Sequence, residues 1–359
     1  MRALVLDGPW DVRVVDRPVP ELREPTDCLV RVVACGICGT DLGIIRGSYG
    51  ACRPPVVLGH EATGVVVRTG PGVAGLREGD RVAINPTYCC GVCRFCRSGR
   101  PNHCARKDGT EAGVSSDGTL AEYYVTGERF LHRLPPELGY VEGALTEPLS
   151  CVLTGVRQVV AHPATTCLVL GLGPVGLLYA LALGTRGVRG VAVEPAADRR
   201  ALAEKVLSPR GWGVTATLED AIAAGGGEEL DLLVDTSGTF DGSLLPHVAA
   251  GGQVLLVALR PHREQLDLGD LADRSISLIG SIDSLGTFDD AWHLLAGGVV
   301  PAQSVVTHVV PLESVPSALR LLGCDLAAKT YTPDAAALKV VVQVTPEELA
   351  HNHERPEPR

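Results

Sequence analysis

The chain has 359 residues, 45% of them hydrophobic and 21% charged, an ordinary globular balance in a chain too long for one core. A formal net charge of −10 excludes a nucleic-acid binder, whose work needs a basic surface. No membrane span or export signal is legible, so a cytoplasmic protein is expected: the most apolar stretch, 167–183, is broken by Gly171, Gly173, Pro174 and Gly176, and the start lacks a basic head and long apolar core.

Short runs of strand type open the chain at 12–15, 28–33, 56–58, 62–67 and 81–84, punctuated by Gly and Pro, and read as a β-rich domain. From about residue 166 the style changes. An apolar run at 167–170 meets a Gly-rich turn, then a helix-like stretch at 175–185 and a second strand at 190–193. Further apolar runs follow at 230–234, 254–258 and 276–279, with helices expected between several of them. Alternating strand and helix predicts a parallel sheet with crossovers, an α/β unit. Strand-like pieces return at 305–310 and 338–344 and are expected to pair back with the first domain. The polar tail, 350–359, is expected to be disordered.

The turn Gly171-Leu172-Gly173-Pro174-Val175-Gly176 fits G-x-G-x-x-G between a strand and a helix. The first glycine permits the tight turn, the second lets backbone approach a pyrophosphate, and the third lets helix and strand pack closely; the helix N-terminus adds partial positive charge. Glu194 closes the second strand, where an acid accepts hydrogen bonds from ribose hydroxyls and repels a 2′-phosphate. NAD is therefore favoured, with NADP still allowed because Arg199 and Arg200 lie close by.

Twelve cysteines in a chain with no sign of export point to metal rather than disulfides, and seven of them fall in two tight groups before residue 105. Cys90, Cys93, Cys96 and Cys104 follow C-x-x-C-x-x-C-x7-C, a spacing that closes a tetrahedral Cys₄ shell around Zn²⁺. Such a shell has no open position, so its role is structural; Cys89 is spare and His103 an unneeded substitute. A second collection of donors is more scattered: Cys35-Gly36-Ile37-Cys38-Gly39-Thr40-Asp41, Gly59-His60-Glu61 and Glu147-Pro148-Leu149-Ser150. Thiolate, imidazole and carboxylate make a mixed shell that leaves one place for water or substrate, as a catalytic zinc requires. Spacing alone does not join these pieces.

Taken in this order, the Cys-Gly-Ile-Cys-Gly-Thr-Asp segment, Gly-His-Glu, the four-cysteine lobe and the glycine turn resemble the zinc-containing medium-chain dehydrogenase/reductase superfamily over nearly the whole chain. The resemblance implies a GroES-like β-rich catalytic domain, residues 1–155 and 300–359, with the structural zinc lobe at about 86–107. It also implies a Rossmann doubly wound domain at 156–299. Cys38, rather than Cys35, is implied as the catalytic zinc ligand, with His60 and Glu61 beside it and Glu147 near the metal or on it. Two zinc ions per chain follow, one catalytic and one structural.

Within the superfamily the chain is similar to the sugar and polyol branch, the glucose and sorbitol dehydrogenases. Thr110-Glu111-Ala112-Gly113 and Glu147-Pro148-Leu149 match segments whose glutamates contact sugar, and Gly280-Ser281-Ile282-Asp283 lies where those enzymes hold the nicotinamide end of the cofactor. Cys151 and Asp283 stand where that branch often has Asn, and Gly43 where many alcohol dehydrogenases have a relay histidine. Thr40, two residues after Cys38, is placed to accept a hydroxyl proton. Glu111, Glu147, Cys151 and Thr40 are thus the expected substrate contacts. The expected function is hydride transfer between a sugar, polyol or cyclitol alcohol and NAD(P), in a homodimer or homotetramer without nucleic-acid or membrane partners. An amino-alcohol or aminocyclitol dehydrogenase is the alternative, and a non-catalytic binding protein on the same fold a further one.

Overall fold

The computed structural model describes residues 1–225, 229–259, 264–333, 335 and 337–347; the tail expected to be disordered lies outside them. Among the described residues no helix is long and apolar enough to cross a membrane.

Six parallel strands form one sheet in the order Gly213–Thr215, Arg189–Val193, Thr166–Leu170, Leu230–Asp235, Val248–Leu256, Ser277–Gly280. Numbered along the chain this is 3-2-1-4-5-6, the doubly wound order that opens a crevice at the carboxyl ends of the strands, beside Thr166–Leu170. The helix Pro174–Gly184 leaves that strand directly. Its sequence PVGLLYALALG is apolar all round and the eight residues from Gly176 to Leu183 are buried, as an enclosed helix requires. The strand expected at 254–258 instead runs Val248–Leu256. Its first half, VAAGG, has no side-chain pattern to show it, and a register shift against Leu230–Asp235 falls there.

The second large sheet is mixed. Asp27–Gly36, buried along all ten residues, is its spine. It pairs antiparallel with Glu61–Thr69, with Tyr123–Gly127 and with Lys339–Gln343, near the far end of the chain. Val306–Pro311 adds to the edge of Lys339–Gln343. The two late strands therefore lie in the sheet of the first hundred residues. One apolar cluster joins the two sheets: Val33, Ala34 and Val65 share it with Leu149, Val169 and Leu177, bridged by the helix Thr146–Gln158.

Candidate active site

Cys38 follows the spine strand and caps the helix Gly39–Ile45. Its backbone N–H donates to Oδ2 of Asp41 at 2.8 Å, and the N–H of Gly59 donates to Oδ1 of the same carboxylate at 3.2 Å. Asp41 thus ties the Cys38 turn to the segment carrying His60 and Glu61. The ligand atoms of Cys38, His60 and Glu61 gather within 4.8 Å of one another. Cys35, by contrast, is fully enclosed in the core, its Sγ 3.3 Å from Oγ1 of Thr119, and burial pushes its thiol far up. Cys35 lies within the buried spine and packs in one apolar cluster with Val30 and Val32, whereas Cys38 lies past the strand's end.

Glu61 is 1% exposed, and Lys339 meets both its oxygens, at 2.7 and 2.5 Å. The ammonium also donates to the carbonyl of Ile37 at 3.1 Å. Burial opposes the charge on Lys339, and Glu61 overrides it, holding the lysine above its usual range. Gly36 makes room for this pair: a Cβ there would stand 2.0 Å from Oε2 of Glu61. Lys339 is the site residue that the sequence reading missed. Its only signal is one cation set in the run Leu338-Lys339-Val340-Val341-Val342, where a buried charge demands a partner.

His60 Nδ1 is buried without a hydrogen-bond partner among the described residues, 3.7 Å from Oδ1 of Asp41. Burial works against a charge on the ring, yet Asp41 and Cys38 beside it hold its proton affinity well above the ordinary value. A thiol, an imidazole and a carboxylate converging in a site that draws positive charge so strongly fit a Zn²⁺ ion. Glu147 is not drawn into this group of three. It lines the adjoining pocket and accepts from the Cys151 thiol at 3.4 Å. Burial, with the charge of Glu61, pushes its carboxyl up to about 7 against the pull of His60 and Lys339.

The pocket is walled by Cys38, Thr40, Glu111, Glu147 and Cys151 from the catalytic side, and by Val175, Ser281 and Asp283 from the parallel-sheet side. Ser281 Oγ accepts from Nε2 of Gln158 at 3.0 Å. Glu111 and Asp283 both pair with Lys107, a second residue absent from the sequence reading.

Gly171 and Gly173 lie in the turn between Thr166–Leu170 and the helix Pro174–Gly184, with Gly173 as the cap and Pro174 and Gly176 in the first turn of the helix. A Cβ on Gly176 would stand 1.9 Å from the carbonyl oxygen of Gly171, so only glycine closes this turn. Glu194 was expected to face a ribose. Its carboxylate is 2% exposed and braces the turn: Oε2 accepts from the N–H of Leu172 at 3.0 Å, and Oε1 from the N–H of Ala196 at 3.0 Å and from Arg199 at 2.9 Å. Arg199 also donates to the carbonyls of Pro333 and Ala335, and Arg200 to those of Glu194 and Pro195. Arg199 thus spends Nη1 and Nη2 on protein acceptors, its buried Nε having no partner among the described residues, and Arg200 spends Nη1.

In the lobe, the Sγ atoms of Cys90, Cys93, Cys96 and Cys104 form the second donor cluster. Backbone N–H groups point at the sulfurs: that of Cys90 at Cys104 and that of Cys93 at Cys90, each at 3.3 Å. Hydrogen bonds from the backbone of Cys96 and Ala105 pull the Cys93 thiol down to about 6. Thiolates held by backbone donors fit a closed Cys₄ zinc site. Cys89 and His103 stay outside the cluster.

Residues 24–136 match the alcohol dehydrogenase GroES-like domain. A sorbitol dehydrogenase from Bombyx mori is 30% identical over 353 residues, covering 95% of this chain and 98% of that protein. A protein named as a probable D-xylulose reductase A from Aspergillus fumigatus is 32% identical over 347 residues, 91% of this chain and 95% of that protein. The chain belongs to the zinc-dependent medium-chain dehydrogenase family, in its sugar and polyol branch. The alcohol dehydrogenase TADH from Thermus sp. ATN1 superposes with a TM-score of 0.83 at 27% identity, over 96% of this chain and all of that one. Agreement over whole chains means that both sheets, not the β-rich part alone, have their counterpart in that structure.

Proposed function

We propose that the protein is a zinc- and NAD-dependent dehydrogenase of polyols, sugars or cyclitols. The observation that carries this reading is the convergence of Cys38, His60 and Glu61 on the wall of a pocket that also presents Glu111 and Asp283 and runs to Val175 of the glycine turn. The bound metal supplies Lewis acidity at a hydroxyl oxygen, and the dinucleotide supplies the hydride acceptor. Cys38, His60 and Glu61 would hold the catalytic ion, and the four lobe cysteines a structural one. The glycine turn would hold the pyrophosphate at the N-terminus of Pro174–Gly184. The acid Glu194 at the end of the second strand, together with the engagement of Arg199 Nη2 by that carboxylate, supports NAD over NADP.

Thr40 stands on the pocket wall two residues after Cys38, where its hydroxyl can accept the substrate's proton and pass it on. A Thr40→Ala protein is expected to lose about 10²-fold in kcat with a smaller change in KM, measured by NADH formation. Full turnover in that protein would remove Thr40 from the relay.

Further features belong to the same reading. Residues 1–155 with 300–359 and residues 156–299 are the two domains, supported by the pairing of Lys339–Gln343 with the spine strand. Twelve unpaired cysteines suit a reducing cytoplasm. The exposed Leu278 on the edge strand Ser277–Gly280 suits assembly as a dimer or tetramer.

An amino alcohol or aminocyclitol is the second reading, favoured by the carboxyl groups of Glu111, Glu147 and Asp283 on one pocket. A reduction screen with NAD and NADP over sorbitol, xylitol, myo-inositol, glucose, aminocyclitols and threonine separates the two. Preference for an unphosphorylated polyol is the expected result, preference for amine-bearing substrates selects the second reading, and activity confined to short aliphatic alcohols overturns both.

A further inference from the structure

Lys107 lies between the zinc lobe and the far wall of the pocket. Its ammonium, on a side chain 15% exposed, is 2.8 Å from Oε1 of Glu111 and pairs with Oδ2 of Asp283. Asp283 is 176 positions further along the chain, in the loop after the strand Ser277–Gly280. A second contact spans the same seam: Nδ2 of Asn102 donates to the carbonyl of Ile282 at 3.3 Å. Glu111 and Asp283 line the pocket that holds Cys38 and Thr40, whereas Lys107 stands behind them and does not line it.

Two neighbouring carboxylates repel each other, and a shared ammonium keeps both ionised and fixed in place. Lys107 pairs with Oε1 of Glu111 and with Oδ2 of Asp283. An ionised carboxylate accepts only and offers about four lone-pair sites, so each can take a hydroxyl donor beside the ammonium. The backbone of Asp283 adopts φ +57°, in the left-handed region that a non-glycine residue enters at a cost, and the Lys107 pair is the tertiary contact that holds its side chain there. Two acids against one base leave the group net negative, which repels a phosphate or carboxylate on the substrate.

We propose that Lys107 is a positioning residue for substrate specificity: it presents Glu111 and Asp283 as paired acceptors for the hydroxyls of an unphosphorylated polyol, away from the reacting carbon. This rests on the polyol reading above. Lys107 acts without touching the substrate, so its loss loosens the distant hydroxyls and leaves the chemistry at Thr40 intact.

The test is steady-state NADH formation by the zinc-loaded wild type, Lys107→Met and Lys107→Arg with sorbitol or xylitol, and with 2,3-butanediol, a substrate that carries no hydroxyl beyond its vicinal pair. Lys107→Met is expected to raise KM for the polyol about tenfold or more, the scale of a hydrogen bond to a charged group. Its kcat stays within about threefold and its KM for 2,3-butanediol within about twofold, and Lys107→Arg recovers most of the polyol KM. Asp283→Asn, which keeps the side-chain shape, is expected to raise the polyol KM in the same way and serves if Lys107→Met folds poorly. Unchanged polyol KM in Lys107→Met or Asp283→Asn, or an equal rise for 2,3-butanediol, overturns the role of Lys107 alone. A wild type that oxidises no polyol overturns the proposed substrate class and this inference with it.

Discussion

A Cys38→Ala protein is expected to lose NAD-dependent turnover by about 10³-fold or more, because a metal's stabilisation of a developing alkoxide is worth several kcal/mol. Its zinc content should fall by about one ion per chain, since the lobe cysteines form a separate closed group. The fold should survive. Cys38 caps a helix of seven residues and is only partly buried, whereas the spine strand and its three partners are untouched. The comparison with Cys35→Ala makes the assignment sharp. Cys35 sits in the core, so its removal should lower the melting temperature and leave metal content unchanged. Metal analysis, thermal melting and a rate assay on the two proteins decide it. Loss of metal in Cys35→Ala with retention in Cys38→Ala would reverse the two roles.

Lys339→Met is expected to cost about 3–5 kcal/mol of stability, the penalty for breaking a buried pair by removing one partner. Glu61 is 1% exposed, and both its oxygens meet this ammonium. The cost is read by urea unfolding of zinc-free protein, because a bound metal would give the orphaned carboxylate another cation. The double variant Glu61→Gln, Lys339→Met should recover much of the loss, since the uncompensated charge is gone. Equal midpoints for wild type and Lys339→Met would show that Glu61 needs no such partner. The same lysine, 278 positions from Glu61, ties the third donor of the site to the strand Lys339–Gln343, which pairs with the spine.

The parts of this site that follow one another closely in the chain were readable from it. The lobe announces itself because four thiols within fifteen residues have few other uses, and the glycine turn because each glycine answers a steric demand that Gly176 illustrates. Cys38, His60 and Glu61 needed the family resemblance, since nothing in the spacing joins residue 38 to residue 60. The structure supplies the physical link in Asp41, which takes backbone donors from both segments. What stayed hidden was pairing at long range. Lys339 meets Glu61 across 278 positions, and Lys107 meets Asp283 across 176. No local pattern encodes either. Glu194 shows the converse limit: its position at the end of the second strand was legible, but its inward turn to the backbone of Leu172 depends on the packed loop. The strand Arg2–Gly8 was passed over for a related reason, as its apolar core Ala3-Leu4-Val5-Leu6 is short and carries no alternation.

The most direct test of the account is anomalous scattering at the zinc edge from crystals grown with NAD. Two peaks per chain are expected, one among Cys90, Cys93, Cys96 and Cys104 and one among Cys38, His60 and Glu61. A peak in the lobe alone, from protein that still oxidises a polyol, would contradict the assignment of the chemistry to the Cys38 site.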